Sequence, residues 1–551
     1  MATLSNPLFP SAKIRRNRNH AFSKIGFTPI LQEYTLEKMC NSRSKKLKEA
    51  KTLLTKLKKS EHFSSPESLK MVDSLQRLGI DYHFQDDITS ILQTHYNHRD
   101  QISDLSLASL RFRLLRQEGY YIPADVVFDK FRNKEGKFRR ELGADIGGLM
   151  GLYEASQLSV GGEEILDEGG VFSAGFLGES VMNLAGDEGR IVADTLKYPY
   201  HRSFGRPLVR DLLDSCRKRD DFEEIFRPLA LFDFNMIQSF HREEIIQISI
   251  WWRDLEISSE LQVPRDKPLD WFLWSMACFT DPSFSRKRVE VAKVISLLNL
   301  VIDVFDLVGT IDQLSLFAHA VNRWEIEAAE ELPDYMKICF KAIYDITNEI
   351  AHNMHKELGY NPILSLHKEW RKLCNALLED ARWLAIGKLP KAEDYLKNTI
   401  LSCGVNLALV HTFFLLNEGV TKESVQIINN NPGIISSVST ILRLWNDSRS
   451  AKFGNGDKSY GPYMLCYMKE NEGSSVEEAR KHVMDKISET WKQLNWECLF
   501  PKQFSKSFTK AALNVARLAP FMYQSDNVHT TSQSLHQKDI MKSLVFQRIP
   551  A

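Results

Sequence analysis

The stretch Val301-Ile302-Asp303-Val304-Phe305-Asp306 decides the reading of this sequence, because it ends an apolar run from Val289 with aspartates. Apolar residues dominate that run without the period-two alternation of a half-buried strand, so it reads as a long buried helix. Asp303 and Asp306 are three apart, which puts them on one helix face. Carboxylates at the end of a buried helix need a partner, since an unpaired buried charge is expensive. One such partner is a hard divalent cation held by one or two carboxylates, with substrate phosphates completing its shell. The other reading is a pair of N-capping or salt-bridged aspartates.

Outward from this stretch the helical pattern persists. Leu47, Ala50, Leu53, Leu54 and Leu57 recur at three-to-four spacing among lysines, and Met71 to Leu92 and Leu105 to Leu115 repeat the pattern. Strand alternation and hairpin dipeptides are nearly absent. Gly119, Pro123, Gly161-Gly162, Pro264, Pro268, Pro282, Pro390 and Pro432-Gly433 fall between the helical patterns, as breakers should. The fold class expected is all-α, with many helices joined by short loops. At 551 residues the chain is too long for one ordinary core, so two or more domains are expected. The charged stretch from Asp221 to Pro228 suggests a junction near residue 230.

Lys+Arg and Asp+Glu both number 71, which argues against a nucleic-acid partner because such proteins carry a basic excess. No stretch approaches the roughly 20 apolar residues that span a bilayer. The eight cysteines are dispersed without a CxxC pair, which argues against a zinc site or a disulfide framework and fits a reducing compartment. From Met1 to Gln32 there is no Asp or Glu, while Lys13, Arg15, Arg16, Arg18 and Lys24 lie among Ser, Thr and Asn. That is the composition of an organelle transit peptide, or of a basic tail.

Two further segments carry chemistry. Arg443-Leu444-Trp445-Asn446-Asp447-Ser448-Arg449-Ser450 follows the apolar run Ile434 to Leu442. Asn446 and Ser450 are four apart on one face and offer neutral oxygens suited to magnesium, and Arg443 lies one turn earlier, within reach of a phosphate. A helix C-terminal cap is the alternative. Pro264-Arg265-Asp266-Lys267-Pro268-Leu269-Asp270-Trp271-Phe272-Leu273-Trp274 places two cations before an aromatic helix. Arg265 is a planar clamp for phosphate oxygens and Lys267 a point charge. The faces of Trp271 and Trp274 suit a carbocation. A solvated loop before a core helix is the alternative.

These segments resemble the plant terpene synthases, and most closely the branch that makes acyclic alcohols such as linalool and nerolidol. The resemblance covers nearly the whole chain after residue 33. It includes Leu75-Gln76-Arg77-Leu78-Gly79-Ile80, Phe112 to Tyr120, Gly151 to Ser156, Asp233 to Gln238, Trp251-Trp252-Arg253-Asp254-Leu255 and Val308 to Asp312. Arg15-Arg16 lacks the tryptophan that completes the family's tandem-arginine motif, as is typical of the acyclic branch.

The resemblance implies a two-domain class I terpene synthase fold: a basic leader over residues 1–32, a relict helical barrel over 33–230, and a helical bundle with the active site over 231–551. It implies a monomer acting on a prenyl diphosphate, geranyl or farnesyl, with three Mg2+ ions, or Mn2+ in their place. Asp303, Asp306, Asn446 and Ser450 are then the metal ligands, and Arg265 acts on the leaving diphosphate together with Asp303 and Asp306. Lys267, Arg443, Asn446, Asp306, Trp271, Trp274 and Tyr523 are expected to contact substrate, with a closing lid near Tyr523 to Ser534. The leader favours a plastid, with the cytoplasm as the alternative. This chain departs from the family at two places. Ile302 stands where the first aspartate of the aspartate-rich motif belongs, and Gly454 where the second motif has glutamate, with Asp457 nearby. Two functions follow: an active synthase, or a protein that binds prenyl diphosphate without turnover.

Overall fold

Helix boundaries fall where glycine, proline and capping side chains punctuate the chain. The computed structural model describes residues 29–58, 65–98, 102–215, 221–255, 267–449, 461–501, 504–523 and 531–550. In the first part of the chain these form α1 (Pro29–Lys58), α2 (Pro66–Arg77), α3 (Gln85–Asn97), α4 (Leu105–Gln117), α5 (Ala124–Phe128), α6 (Ile146–Ser156), α7 (Glu164–Val181), α8 (Gly186–Lys197) and α9 (Gly205–Asp214). The long α10 (Asp221–Asp254) follows, then α11 (Pro268–Cys278), α12 (Ser285–Asp303), α13 (Ile311–Arg323), α14 (Asp334–Leu358), α15 (Ile363–Ala385) and α16 (Ala392–Ser402). The last are α17 (Val405–Leu416), α18 (Lys422–Asn429), α19 (Gly433–Arg449), α20 (Pro462–Glu470), α21 (Val476–Leu499), α22 (Lys506–Tyr523) and α23 (Thr531–Phe546). Among the described residues the sole extended pairing is one isolated bridge between Arg132 and Phe138, so the fold is all-α as expected.

The pattern from Met71 to Leu92 is divided between two helices. Gly79 takes a left-handed φ of 68°, and the amide of Ile80 turns back to the Leu75 carbonyl at 3.1 Å. A residue without Cβ adopts that conformation at little cost, and the helix ends there. Elsewhere the caps are local. Thr310 with Gln313 starts α13, and Ser475 with Glu478 starts α21, each exchanging side-chain and backbone hydrogen bonds.

Apolar burial divides into a large C-terminal core, with Phe272, Val301, Phe340, Trp370, Phe413 and Leu444 at its centre, and N-terminal cores around Leu54, Leu75, Phe84 and Phe226 and around Phe112, Phe128 and Leu152. Phe226, Leu229, Ala230 and Phe234 of α10 serve the N-terminal core, while Ile245, Ile248 and Trp252 of the same helix serve the C-terminal one. The charged stretch from Asp221 and residue 230 itself therefore lie within a helix shared by both halves.

Polar clamps join the halves. Arg43 of α1 donates to Asp233 of α10 at 2.6 Å, and Tyr82 and His83 contact the same carboxylate. Asn495 of α21 donates to the carbonyls of Gln157 and Ser159 at 3.0 and 2.9 Å and contacts His201 at 2.8 Å. The chain end returns to α10, where Asn235 exchanges both its amide groups with the backbone of Ile549. Since α1 begins at Pro29 and holds Arg43, a cut before Glu33 removes the first turn of a helix that packs on α10.

Among the described residues no single helix is long and apolar enough to cross a membrane. The bent pair α16–α17 reaches that length and composition together, but every residue of α17 except Ala408 is buried in the protein core.

Candidate functional site

The helix that carries the aspartates does not stay α-helical to its end. α12 stops at Asp303, and Val304–Val308 forms a wider π-helical turn, closed by the Gly309 amide on the Val304 carbonyl at 3.0 Å. The wider turn rotates Asp306 away from its expected azimuth. Asp303 is 1% exposed, whereas Asp306 is exposed and Ile302 half-buried. The three-residue spacing that aligns the pair in an unbroken α-helix thus spans a change of helical period, and the two aspartates differ in burial. Such π turns are frequent at functional sites.

Across from Asp306 lies a carboxylate that sequence reasoning missed. Asp380 of α15 accepts from Asn398 at 2.7 Å and from Ser402 at 2.6 Å, both on α16. Burial pushes its carboxyl above the ordinary range, and the negative charge of Asp306 acts in the same direction, while Ser402 and Arg443 oppose it. A carboxylate that is buried beside a second negative charge is relieved by a nearby cation. No local signal marks Asp380, because only the packing of α15 against the π turn brings it to Asp306.

The second element is the end of α19. Arg443 sits 2.9 Å from Asp447 one turn along the helix, and its guanidinium also donates to the Tyr395 hydroxyl. Tyr395, on α16, donates that hydroxyl to the other Asp447 oxygen at 3.0 Å. Asp447 is 2% exposed, and burial raises its carboxyl above the usual range despite the neighbouring Arg443. Asn446 is half-buried beside it. The Tyr463 amide also donates to Asp447, so the start of α20 is tied to the same carboxylate.

The aromatic helix α11 separates its two tryptophans. Trp271 is 3% exposed and packs on Trp252 of α10, ring centroids 4.7 Å apart. Trp274 is half-buried and meets Tyr523, the last residue of α22, at 6.1 Å. Lys267 is exposed at the start of α11, 3.8 Å from Asp270. Arg265, Ser450, Gly454 and Asp457 lie outside the described residues, as does most of the segment expected to form the lid.

The donor set bears directly on a metal. Among the described residues no group of three or more His, Cys, Asp or Glu side chains is gathered as a cage. Asp306 near Asp380, and the amide oxygen of Asn446 on α19, are hard oxygen donors of the kind that suits an ion taking most of its shell from phosphate and water, as Mg2+ does. The six described cysteines are free, and burial raises the thiol of Cys278 to about 11, leaving it protonated and a poor ligand.

The fold and the site define an all-α bundle with acidic and amide side chains gathered near helix ends. The metal-binding domain of the terpene synthase family matches residues 253–493, and the terpene synthase N-terminal domain matches residues 20–195. A probable terpene synthase 4 of Ricinus communis is 50% identical over 95% of this chain and 94% of its own length. An (E)-nerolidol synthase of Cannabis sativa is 43% identical, covering 89% and 90%. A chloroplastic S-(+)-linalool synthase of Arabidopsis thaliana is 40% identical, covering 84% and 82%. The isoprene synthase of grey poplar, solved with three Mg2+ ions and dimethylallyl-S-thiolodiphosphate, superposes with a TM-score of 0.85 at 33% identity over 94% of this chain and 99% of that one. The chain belongs to the terpene synthase family.

Proposed function

We propose that this protein ionises geranyl or farnesyl diphosphate and releases an acyclic terpenoid alcohol of the linalool or nerolidol type. The observation that supports the reading is that Asp380 of α15 lies within electrostatic reach both of Asp306, in the turn after α12, and of Arg443 on α19, the helix that also carries Asn446. Mg2+ bound there would neutralise the leaving diphosphate, which lowers the barrier to carbon–oxygen cleavage. Asp306, Asp380 and Asn446 would hold it, with Ser450, four residues on in the sequence, as a further oxygen donor. Arg443 stays charged beside Asp447 and presents its guanidinium to diphosphate oxygens. Lys267 at the start of α11, and Arg265 two residues before it in the sequence, would add cationic charge toward the diphosphate. Trp274 and Tyr523 supply aromatic faces for the allylic cation, and Trp271 backs them by fixing α11 on α10. Asp303, buried behind Asp306, supports the turn. We assign the helical unit up to about residue 230 to the scaffold and the remainder to the site, with the residues before α1 as a plastid leader, in line with the chloroplastic relative.

A second reading has its own observation. Ile302 and Gly454 remove one carboxylate from each motif, which favours a protein that binds prenyl diphosphate without turning it over. Incubating the full-length protein with geranyl and farnesyl diphosphate and Mg2+ or Mn2+, with volatiles resolved by gas chromatography, separates the two. An enzyme-dependent acyclic alcohol is the expected result. Diphosphate-dependent thermal stabilisation with no product would establish the binding protein, and neither signal would overturn the site assignment.

A further inference from the structure

α16 contributes no residue to either sequence motif, yet it bonds to Asp447 of the second motif and to Asp380, the carboxylate that faces Asp306 of the first. Its Tyr395, Asn398 and Ser402 stand at i, i+3 and i+7, which at 3.6 residues per turn falls on a stripe about 60° wide. All three donate to carboxylates on other helices. Tyr395 reaches Asp447 on α19 at 3.0 Å, and Asn398 and Ser402 reach the two oxygens of Asp380 on α15 at 2.7 and 2.6 Å. The stripe therefore ties together the two sides between which the diphosphate would sit.

The Tyr395 contact is fully specified by its chemistry. A guanidinium has donors only, so the hydroxyl accepts from Arg443 and must spend its single proton on Asp447. The ring lies below the same guanidinium, with 5.4 Å from its carbon to the ring centroid. Tyr395 is 6% exposed and Asp447 2%, so water cannot readily replace the hydroxyl. Arg443 has no other carboxylate at ion-pair distance among the described residues. Its aim thus depends on a triangle of which Tyr395 is one corner.

We propose that α16 is the strut of the metal–diphosphate site and that Tyr395 is its positioning residue, acting through Asp447 and Arg443 to set where α19 presents Asn446 and where the guanidinium points. This rests on the proposed function. It goes beyond it by naming a residue outside both motifs on which diphosphate affinity depends.

The test is Tyr395→Phe in the full-length chain, which keeps the ring and removes the hydroxyl. The probe is inorganic diphosphate with Mg2+, titrated calorimetrically, beside the melting temperature without ligand. Hydrogen bonds to charged groups predict a rise in Kd of about tenfold to a hundredfold, with the ligand-free melt little changed. Asp447→Asn is the second variant, and supplies the answer if Tyr395→Phe does not fold. Since both act through one triangle, the double variant is expected to bind about as weakly as the weaker single one. Wild-type diphosphate affinity in Tyr395→Phe, or losses that multiply in the double variant, would overturn the strut while leaving the proposed function standing. Failure of the wild-type protein itself to bind diphosphate with Mg2+ would overturn both.

Discussion

Gly461 is where a single methyl group should separate stability from function. Its backbone has φ −64° and ψ 152°, which alanine adopts without strain, so only space is at issue. A Cβ there would overlap the carbonyl oxygen of Asp447 and lie 2.6 Å from its carbonyl carbon and 3.2 Å from its Cα. Carbon atoms approach to about 3.5–4.0 Å at their optimum, so the start of α20 and the end of α19 must part by at least roughly 1 Å. Overpacking of this kind costs about 1–3 kcal/mol. The reduced freedom of the unfolded chain returns about 0.4–1 kcal/mol. The net loss of about 1–2 kcal/mol lowers the melting temperature of a chain this long by only a few degrees. The same displacement moves Asp447, and with it Arg443 and Asn446. A misplacement of about 1 Å can lower turnover by about a hundredfold. Gly461→Ala should therefore melt close to the wild-type protein while losing most of its Mg2+-diphosphate affinity and any turnover. Gly178 of α7, where a Cβ meets nothing within 4 Å, provides the control, and Gly178→Ala should be neutral or slightly stabilising. Scanning calorimetry with and without diphosphate reads both. Wild-type ligand stabilisation in Gly461→Ala would refute the claim that Asp447 sets the geometry of α19.

Ile302→Asp with Gly454→Glu restores one carboxylate to each motif, and Mg2+ should then saturate the protein at a concentration lower by tenfold or more, read from the metal dependence of diphosphate binding. Glu244→Ala strands the guanidinium of Arg288, which is fully buried and 2.8 Å from that carboxylate. The loss should be about 3–5 kcal/mol by chemical denaturation, and Glu244→Gln, which keeps an acceptor, should lose less. Acid stability follows from the buried histidines. Burial holds the imidazole of His411 down at about 4 against 6.5 for the ordinary group, and His201 and His241 are depressed in the same sense. The unfolded chain then binds more protons, so stability is full above pH 6.5 and falls as pH drops toward 4. His411 alone accounts for up to about 3 kcal/mol, and His411→Leu should flatten that limb of the pH–stability curve.

Periodicity and punctuation carried much of the fold. The apolar run from Val289 is α12, and the pattern from Leu105 is α4. Pro268 and Gly433 open helices as breakers should. The helical pattern from Met71 to Leu92 is carried by two helices, and the left-handed φ of Gly79 marks the stop between them. The site was legible in part. Asp306, Arg443, Asn446 and Trp274 could be singled out by residue type and local spacing, whereas the contact of Trp274 with Tyr523 is set by packing alone.

What the sequence by itself determined is the set of chemically able groups and the helical period on which each rides, because both are local properties of the chain. It could not determine azimuth where the period changes. The π turn after Asp303 changes the period between two aspartates that an α-helix would align, and that turn forms within a helix end packed against α15. Nor could it find Asp380 or Tyr395, whose partners lie on other helices. Their roles come from packing that removes water from Asp447 and brings α16 between α15 and α19, so that carboxylates far apart in the chain share one set of donors. That arrangement belongs to the tertiary structure alone.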